Sequence, residues 1–288
     1  MTAAPPPAAA ADALARRDRP APAAGSLDPA GSAPVVVLAT AYSGAARLRP
    51  LLERLPDMAC TSGTGILPLC EQALAAWRNA DGRPGRTPSA LAASSTRALA
   101  SVMITAVLAR EGKRRWCETC TAMPETAEGF LLLYPATRFV CLHRSCAGVI
   151  RAALDASPWG IANPALAPFT RAHPASTAAA LTAYWTAHTA GLLAFEQAHP
   201  QAVLRVRLED LATAGQDTAQ AVTSFLGTAG TDGGTAPDGD NAWPGTPSAG
   251  AGHRDDPEAG LPAGLIPHAM LARANDLLRQ LGYPALPE

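Results

Sequence analysis

The chain has 288 residues, 48% of them hydrophobic and 16% charged, with a formal net charge of −1. That length suits one large α/β domain or two small ones, with apolar residues enough for a sizeable core. The near-neutral balance and the 5% aromatic content exclude the basic excess and the stacking surface of a nucleic-acid binder, while the absence of a charge-free apolar run of spanning length and of a secretory h-region leads us to expect a soluble, cytoplasmic protein with no membrane partner.

Residues 1–33 are rich in Ala and Pro and read as a disordered tail. Val35 to Leu38 then form a short β-branched run, the signature of a buried strand. It breaks at a small-residue turn carrying Ser43-Gly44 and enters an amphipathic helix through Leu48, Leu51, Leu52 and Leu55. Strand, small-residue loop and helix together are how α/β proteins bind phosphates, because N–H groups and the helix dipole meet the anion. The loop contains neither Gly-x-x-x-x-Gly-Lys-Ser/Thr nor Gly-x-Gly-x-x-Gly. A polar loop, Met58 to Gly65, precedes a helix over 66–77, a turn-rich linker at 80–90 and an Ala-rich helix over 89–111. Arg114 to Cys117 read as a short strand, and 124–133 as a helix. Arg138 to Arg144 form a second buried strand that ends in a basic residue and feeds a helix through Val149, Ile150 and Leu154, again anion-binding geometry. Residues 156–175 are irregular and Pro-rich, 176–199 a long helix, Val203 to Arg207 a third strand capped by Glu209-Asp210-Leu211, and 217–226 a helix closed by Gly227. Residues 228–260 read as a long loop or disordered insert. The last helix, 267–280, stops at Gly282 with Pro284 beyond it. Strands alternating with helices predict a parallel sheet with right-handed crossovers in one domain over 34–288.

Six cysteines (Cys60, Cys70, Cys117, Cys120, Cys141 and Cys146) include one C-x-x-C. A zinc site needs a second pair at suitable spacing, and a thioredoxin-like motif is matched only loosely, so unpaired thiols in a reducing compartment are expected. Glu118, at a predicted strand end, is a candidate general base or a helix cap. Ser62 and Thr64 either contact substrate or satisfy loop backbone. His143 reads as a packed core histidine, and His188 as a polar-face or core residue. Arg205 and Arg207 share a strand face, and Arg207 pairs structurally with Glu209 or Asp210.

Three segments, in this order and spacing, resemble the sulfotransferase family, in its bacterial type related to tyrosylprotein sulfotransferases. They are the Ser43-Gly44 loop; Tyr134-Pro135-Ala136-Thr137-Arg138-Phe139-Val140-Cys141-Leu142-His143-Arg144; and Leu204-Arg205-Val206-Arg207-Leu208-Glu209-Asp210-Leu211. Leu281-Gly282-Tyr283-Pro284 is similar to the family's C-terminal end, and Trp116-Cys117-Glu118-Thr119 is a weaker echo of its W-x-E-K. The resemblance implies a three-layer α/β sandwich around a parallel sheet, of P-loop NTPase-like sulfotransferase fold. It implies in-line transfer of a sulfuryl group from 3′-phosphoadenosine-5′-phosphosulfate (PAPS) to a hydroxyl or amine of a small molecule or peptide, with no metal. The loop around the donor's 5′-phosphate would be Tyr42, Ser43, Gly44, Ala45 and Ala46, and Arg144 would pair with the 3′-phosphate, a role suited to a bidentate, permanently charged guanidinium. Several positions depart from the family: Tyr42 replaces the loop's cation, Ala45 and Ala46 its hydroxyl residues, Ala152 the second 3′-phosphate ligand and Thr119 a lysine. Relatives that place a catalytic glutamate near 61–65 have no counterpart here. Those departures keep open a second reading, a catalytically impaired pseudoenzyme or accessory subunit with a partner subunit or as a homodimer. A kinase-like enzyme would need the Walker lysine and an acidic magnesium ligand.

Overall fold

Five successive apolar residues, Val35–Ala39, form β1, and every one is buried. Only a strand covered on both faces has this pattern. The computed structural model describes residues 33–81, 87–121, 124–157, 163–227, 261–262 and 264–287. Residues 1–32 of the expected tail, the Gly82–Arg86 core of the 80–90 linker and the 228–260 insert lie outside those residues.

A 3-10 turn, Ala45–Arg47, and the short helix α1, Arg49–Glu53, follow β1. Next come β2, Met58–Ser62; α2, Ile66–Asp81; α3, Ala90–Glu111; β3, Arg115–Cys120; and α4, Pro124–Leu133. The second half holds β4, Arg138–His143; α5, Cys146–Ala156; α6, Ala167–Ala172; α7, Thr177–Ala198; and β5, Val203–Arg207. Three helices close the chain: α8, Leu208–Thr213; α9, Gly215–Leu226; and α10, His268–Gln280. The strands form one sheet in the order β2-β3-β1-β4-β5, and every pairing is parallel.

Alternation along each strand sorts the core into two layers. Val36, Leu38, Trp116, Phe139 and Cys141 pack with Ile66, Ile104, Phe130 and Phe195 on one side. Val35, Val37, Cys117, Val140 and Val206 pack with Leu51, Leu52, Leu211 and Val222 on the other. A third cluster, around Val149, Trp185, Leu277 and Tyr283, joins α5, α7 and α10 beyond the sheet. The expected three-layer sandwich is the architecture observed.

Local differences from the sequence reading have physical causes. The polar loop at Met58 is instead an edge strand through Ser62, and its half-exposed Cys60 and Thr61 reflect that edge position. The first helix is interrupted because Pro50 has no N–H to bond back to Ala46, so a 3-10 turn and a five-residue helix replace one long one. The Pro-rich stretch contains the turn Pro164–Leu166, capped by the Asn163 side chain, and then α6. Cys117 and Cys120 both lie within β3, three residues apart, so they face opposite sides of the sheet. All six thiols are free. By length and composition α3 alone among the described helices could cross a membrane; here Ala92, Thr96, Ala100, Ile104 and Leu108 are its buried stripe.

Candidate functional site

From β1 the chain crosses to the β2 edge, whereas from β4 it moves outward to β5, yet β1 and β4 are neighbours. Loops leaving two such strands diverge and open a crevice at their carboxyl ends, the usual ligand position in open α/β sheets. Both predicted anion-binding reversals fall there. Tyr42, Ser43 and Gly44 leave β1, and Arg144 leaves β4. Arg144 Nη1 donates a 2.9 Å hydrogen bond to the Tyr42 carbonyl, joining the two.

The β1 loop has unusual backbone. The Ser43 N–H bonds the Thr40 carbonyl at 3.2 Å, and Tyr42 sits at φ 64, the one described non-glycine residue at positive φ. Such a conformation costs on the order of 1–3 kcal/mol and persists where surroundings enforce it. Here the guanidinium on the Tyr42 carbonyl is one restraint. A second is the Ala41 N–H, which donates to the Tyr184 hydroxyl at 2.8 Å. Gly44 is left-handed at φ 79 and leads into the Ala45–Arg47 turn. Alternating handedness of this kind gathers successive N–H groups into an anion-binding concavity. The Ser43 hydroxyl is buried and has no hydrogen-bond partner among the described residues. A Cβ on Gly44 would come within 2.8 Å of Leu208 Cδ2. Gly44→Ala is therefore expected to destabilise the fold by about 1–3 kcal/mol, most of it from the left-handed backbone, as a lower urea midpoint would register.

The opposite wall begins at α5. Ser145 caps it, its Oγ accepting from the Gly148 N–H at 3.1 Å. A Cβ on Gly148 would lie 2.8 Å from Arg144 Nε, so the arginine stem folds over this glycine. The Ser145 N–H donates to Glu209 Oε1 at 3.2 Å, and the Tyr283 hydroxyl donates to Glu209 Oε2 at 2.6 Å. Burial and the adjacent Glu209 carboxylate push the Tyr283 phenol far up, so it stays protonated as a donor. Trp185 Nε1 donates to the Arg144 carbonyl at 3.0 Å. Tyr184 and Trp185 thus clasp both loops from successive positions of α7. Sequence reading missed them, although an adjacent aromatic pair in an Ala-rich helix was the available signal. Arg207 pairs with Asp210, its Nη2 lying 2.8 Å from Oδ1.

Glu118 is fourth of the six residues in β3, not at its end. Its carboxylate is buried. One oxygen accepts from the Thr61 hydroxyl and the other from the Thr64 N–H at 2.8 Å. Ser62 and Thr64 line a cleft of about 450 Å³ with Arg49 and Lys113 beside β2. His143 is a buried core histidine, and its Nε2 lies 2.6 Å from Glu196 Oε1. Arg205 Nε donates to the other Glu196 oxygen at 2.7 Å. Burial pushes the Glu196 pKa up, but His143 and Arg205 outweigh it and hold the carboxyl below its ordinary value. This linkage ties α7 to β4 and β5 behind the crevice. Among the described residues no cluster of His, Cys, Asp or Glu has the makings of a metal site.

The sequence profile of the sulfotransferase family matches residues 34–232. The chain belongs to the sulfotransferase family. Two solved structures share the fold. The sulfotransferase domain from the curacin biosynthetic pathway superposes with a TM-score of 0.55 at 13% identity, over 89% of this chain and 99% of that one. The sulfotransferase domain of the Synechococcus PCC 7002 olefin synthase gives 0.51 at 16% identity, over 90% and 98%. No curated protein matches by sequence. Within this sulfotransferase, the strand-end crevice is the place where the two motif loops meet.

Proposed function

We propose that this sulfotransferase moves a sulfuryl group from PAPS to a hydroxyl or amine of a small molecule or peptide. The observation carrying the reading is the Arg144–Tyr42 hydrogen bond, which unites the two loops at the topological switch point. The crevice suits a phosphate ester. It offers an unpartnered buried Ser43 hydroxyl, the left-handed Gly44 with the N–H groups beyond it, and a guanidinium. Ser43, Gly44 and the backbone of Ala45 and Ala46 would hold the 5′-phosphate, with Tyr42 at the mouth of the loop. Arg144 would hold the 3′-phosphate, since its fork matches phosphate oxygens. When bound, the donor supplies the activated sulfuryl group. The protein then has to position, neutralise charge and accept a proton, as in phosphoryl transfer.

With Tyr42 in place of the loop cation, charge neutralisation falls more heavily on Arg144 and the backbone dipoles. The six free thiols fit a reducing compartment, and we place the protein in the cytoplasm. A thermal-shift series with 3′-phosphoadenosine-5′-phosphate (PAP), ATP, GTP and coenzyme A tests the donor. PAP at one hundred times its Kd is expected to stabilise the protein by about 2.7 kcal/mol. A folded protein whose melting temperature does not move with PAP overturns the reading.

A further inference from the structure

The C-x-x-C of the sequence does not bring two thiols together, but the sheet does so elsewhere. Cys60 of β2 and Cys117 of β3 are register partners on adjacent parallel strands. Both belong to the layer around Leu51, Leu52 and Val140, and their thiols are hydrogen-bonded to each other. Paired strands lie about 4.8 Å apart, within the roughly 4.4–6.8 Å that a disulfide spans between Cα atoms. The two cysteines differ in access. Cys117 is fully buried. Cys60 is half-buried on the edge strand and lines the cleft of about 450 Å³ beside Arg49, Arg110 and Lys113, a size that admits a small molecule.

Their chemistry differs in the same sense. The Cys117 S–H donates to the Cys60 sulfur and lowers the Cys60 pKa against burial and Glu53, and Arg49 and Lys113 add to the lowering. That same hydrogen bond, together with burial, holds Cys117 well above its ordinary value. Burial pushes Cys70 and Cys146 up to about 12 and raises Cys141 as well. The thiolate is the nucleophile in exchange, so Cys60 attacks before these others.

We propose that Cys60 and Cys117 are a redox dithiol, closing to a disulfide by exchange with oxidised glutathione. The Cys60 thiolate attacks one glutathione sulfur, the glutathione S–S bond breaks, and one glutathione leaves with the electron pair. Cys117 then attacks the Cys60 sulfur and expels the second glutathione. The two cysteines are oxidised by two electrons, and their two protons end on the two glutathione thiols. The second step is the slower one, because burial keeps Cys117 protonated. Side chains of parallel neighbours stand side by side rather than converge, so the bridge is off its ideal geometry and easily reduced. No sulfuryl donor takes part.

The test treats the intact, folded chain with oxidised glutathione, alkylates the remaining thiols and maps the peptides. Two of the six thiols are expected to be lost, a glutathione adduct on Cys60 appearing first and a Cys60–Cys117 bridge replacing it. Excess reduced glutathione is expected to restore both thiols. Cys60→Ser is expected to keep all its remaining thiols open to alkylation. Cys117→Ser is expected to stop at the Cys60 adduct, and Cys117→Ala serves if the serine variant fails to fold. Six thiols still alkylated in the treated wild type overturn the proposal. So does a bridge between other cysteines, a wild type that stops at the adduct, or a bridge that excess glutathione does not reopen.

Discussion

Arg144→Ala is expected to weaken PAP binding about 100-fold while the fold survives. The guanidinium holds the Tyr42 carbonyl at 2.9 Å and is the side chain we assign to the 3′-phosphate. Charge-assisted hydrogen bonds contribute about 1.5–3 kcal/mol each, and a tenfold change in Kd corresponds to about 1.4 kcal/mol. Two lost contacts therefore account for the effect without any broader collapse. Removing the arginine also releases Tyr42 from its left-handed conformation, so part of the loss is an ordering cost shifted onto binding. Arg144→Lys separates the contributions. It keeps the charge but not the fork, so it restores electrostatic attraction and not the bridge between loops. Calorimetry on the two variants reads this directly. Wild-type affinity in Arg144→Ala would show that the arginine is a structural strut alone.

A second large effect belongs to the acid limb of stability. Burial lowers the His188 pKa from 6.5 to about 4, against the pull of Glu125. Between those values the unfolded chain binds a proton that the folded chain refuses, so stability rises with pH across this window. The contribution is complete above pH 6.5 and is lost as pH falls toward 4, amounting to roughly 3 kcal/mol. Glu196 acts in the same direction, since its lowered pKa makes the folded state resist protonation. Urea unfolding at pH 7 and pH 4.5 is expected to show a smaller drop for His188→Asn than for wild type, by about 2–3 kcal/mol. Parallel curves for the two proteins would mean that His188 is wetter than its surroundings indicate.

The parallel sheet was legible because its central strands are unmixed apolar runs, and Val35–Ala39 and Phe139–Leu142 are buried throughout. β2 was not legible. Met58–Ser62 carries Cys, Thr and Ser at an edge, where polar residues are tolerated and local pattern is indistinguishable from a loop. The same division holds at the site. Ser43, Gly44 and Arg144 announce themselves through strand-to-loop transitions, and the structure brings their loops together. Tyr184, Trp185 and Glu209 act on those loops from 41 to 143 residues away in sequence, through contacts that no local pattern encodes. Glu118 could be picked out as a buried strand carboxylate, but not which hydroxyl and which N–H would occupy it.

Tyr283 hydrogen-bonds Glu209, Glu209 holds the start of α5, and Arg207 donates to the Gly282 carbonyl at 2.9 Å. The Leu281–Tyr283 turn is thus mechanically coupled to the loop that carries Arg144. A substitution that loosens Tyr283 would be felt at Ser145, more than a hundred residues earlier in the chain.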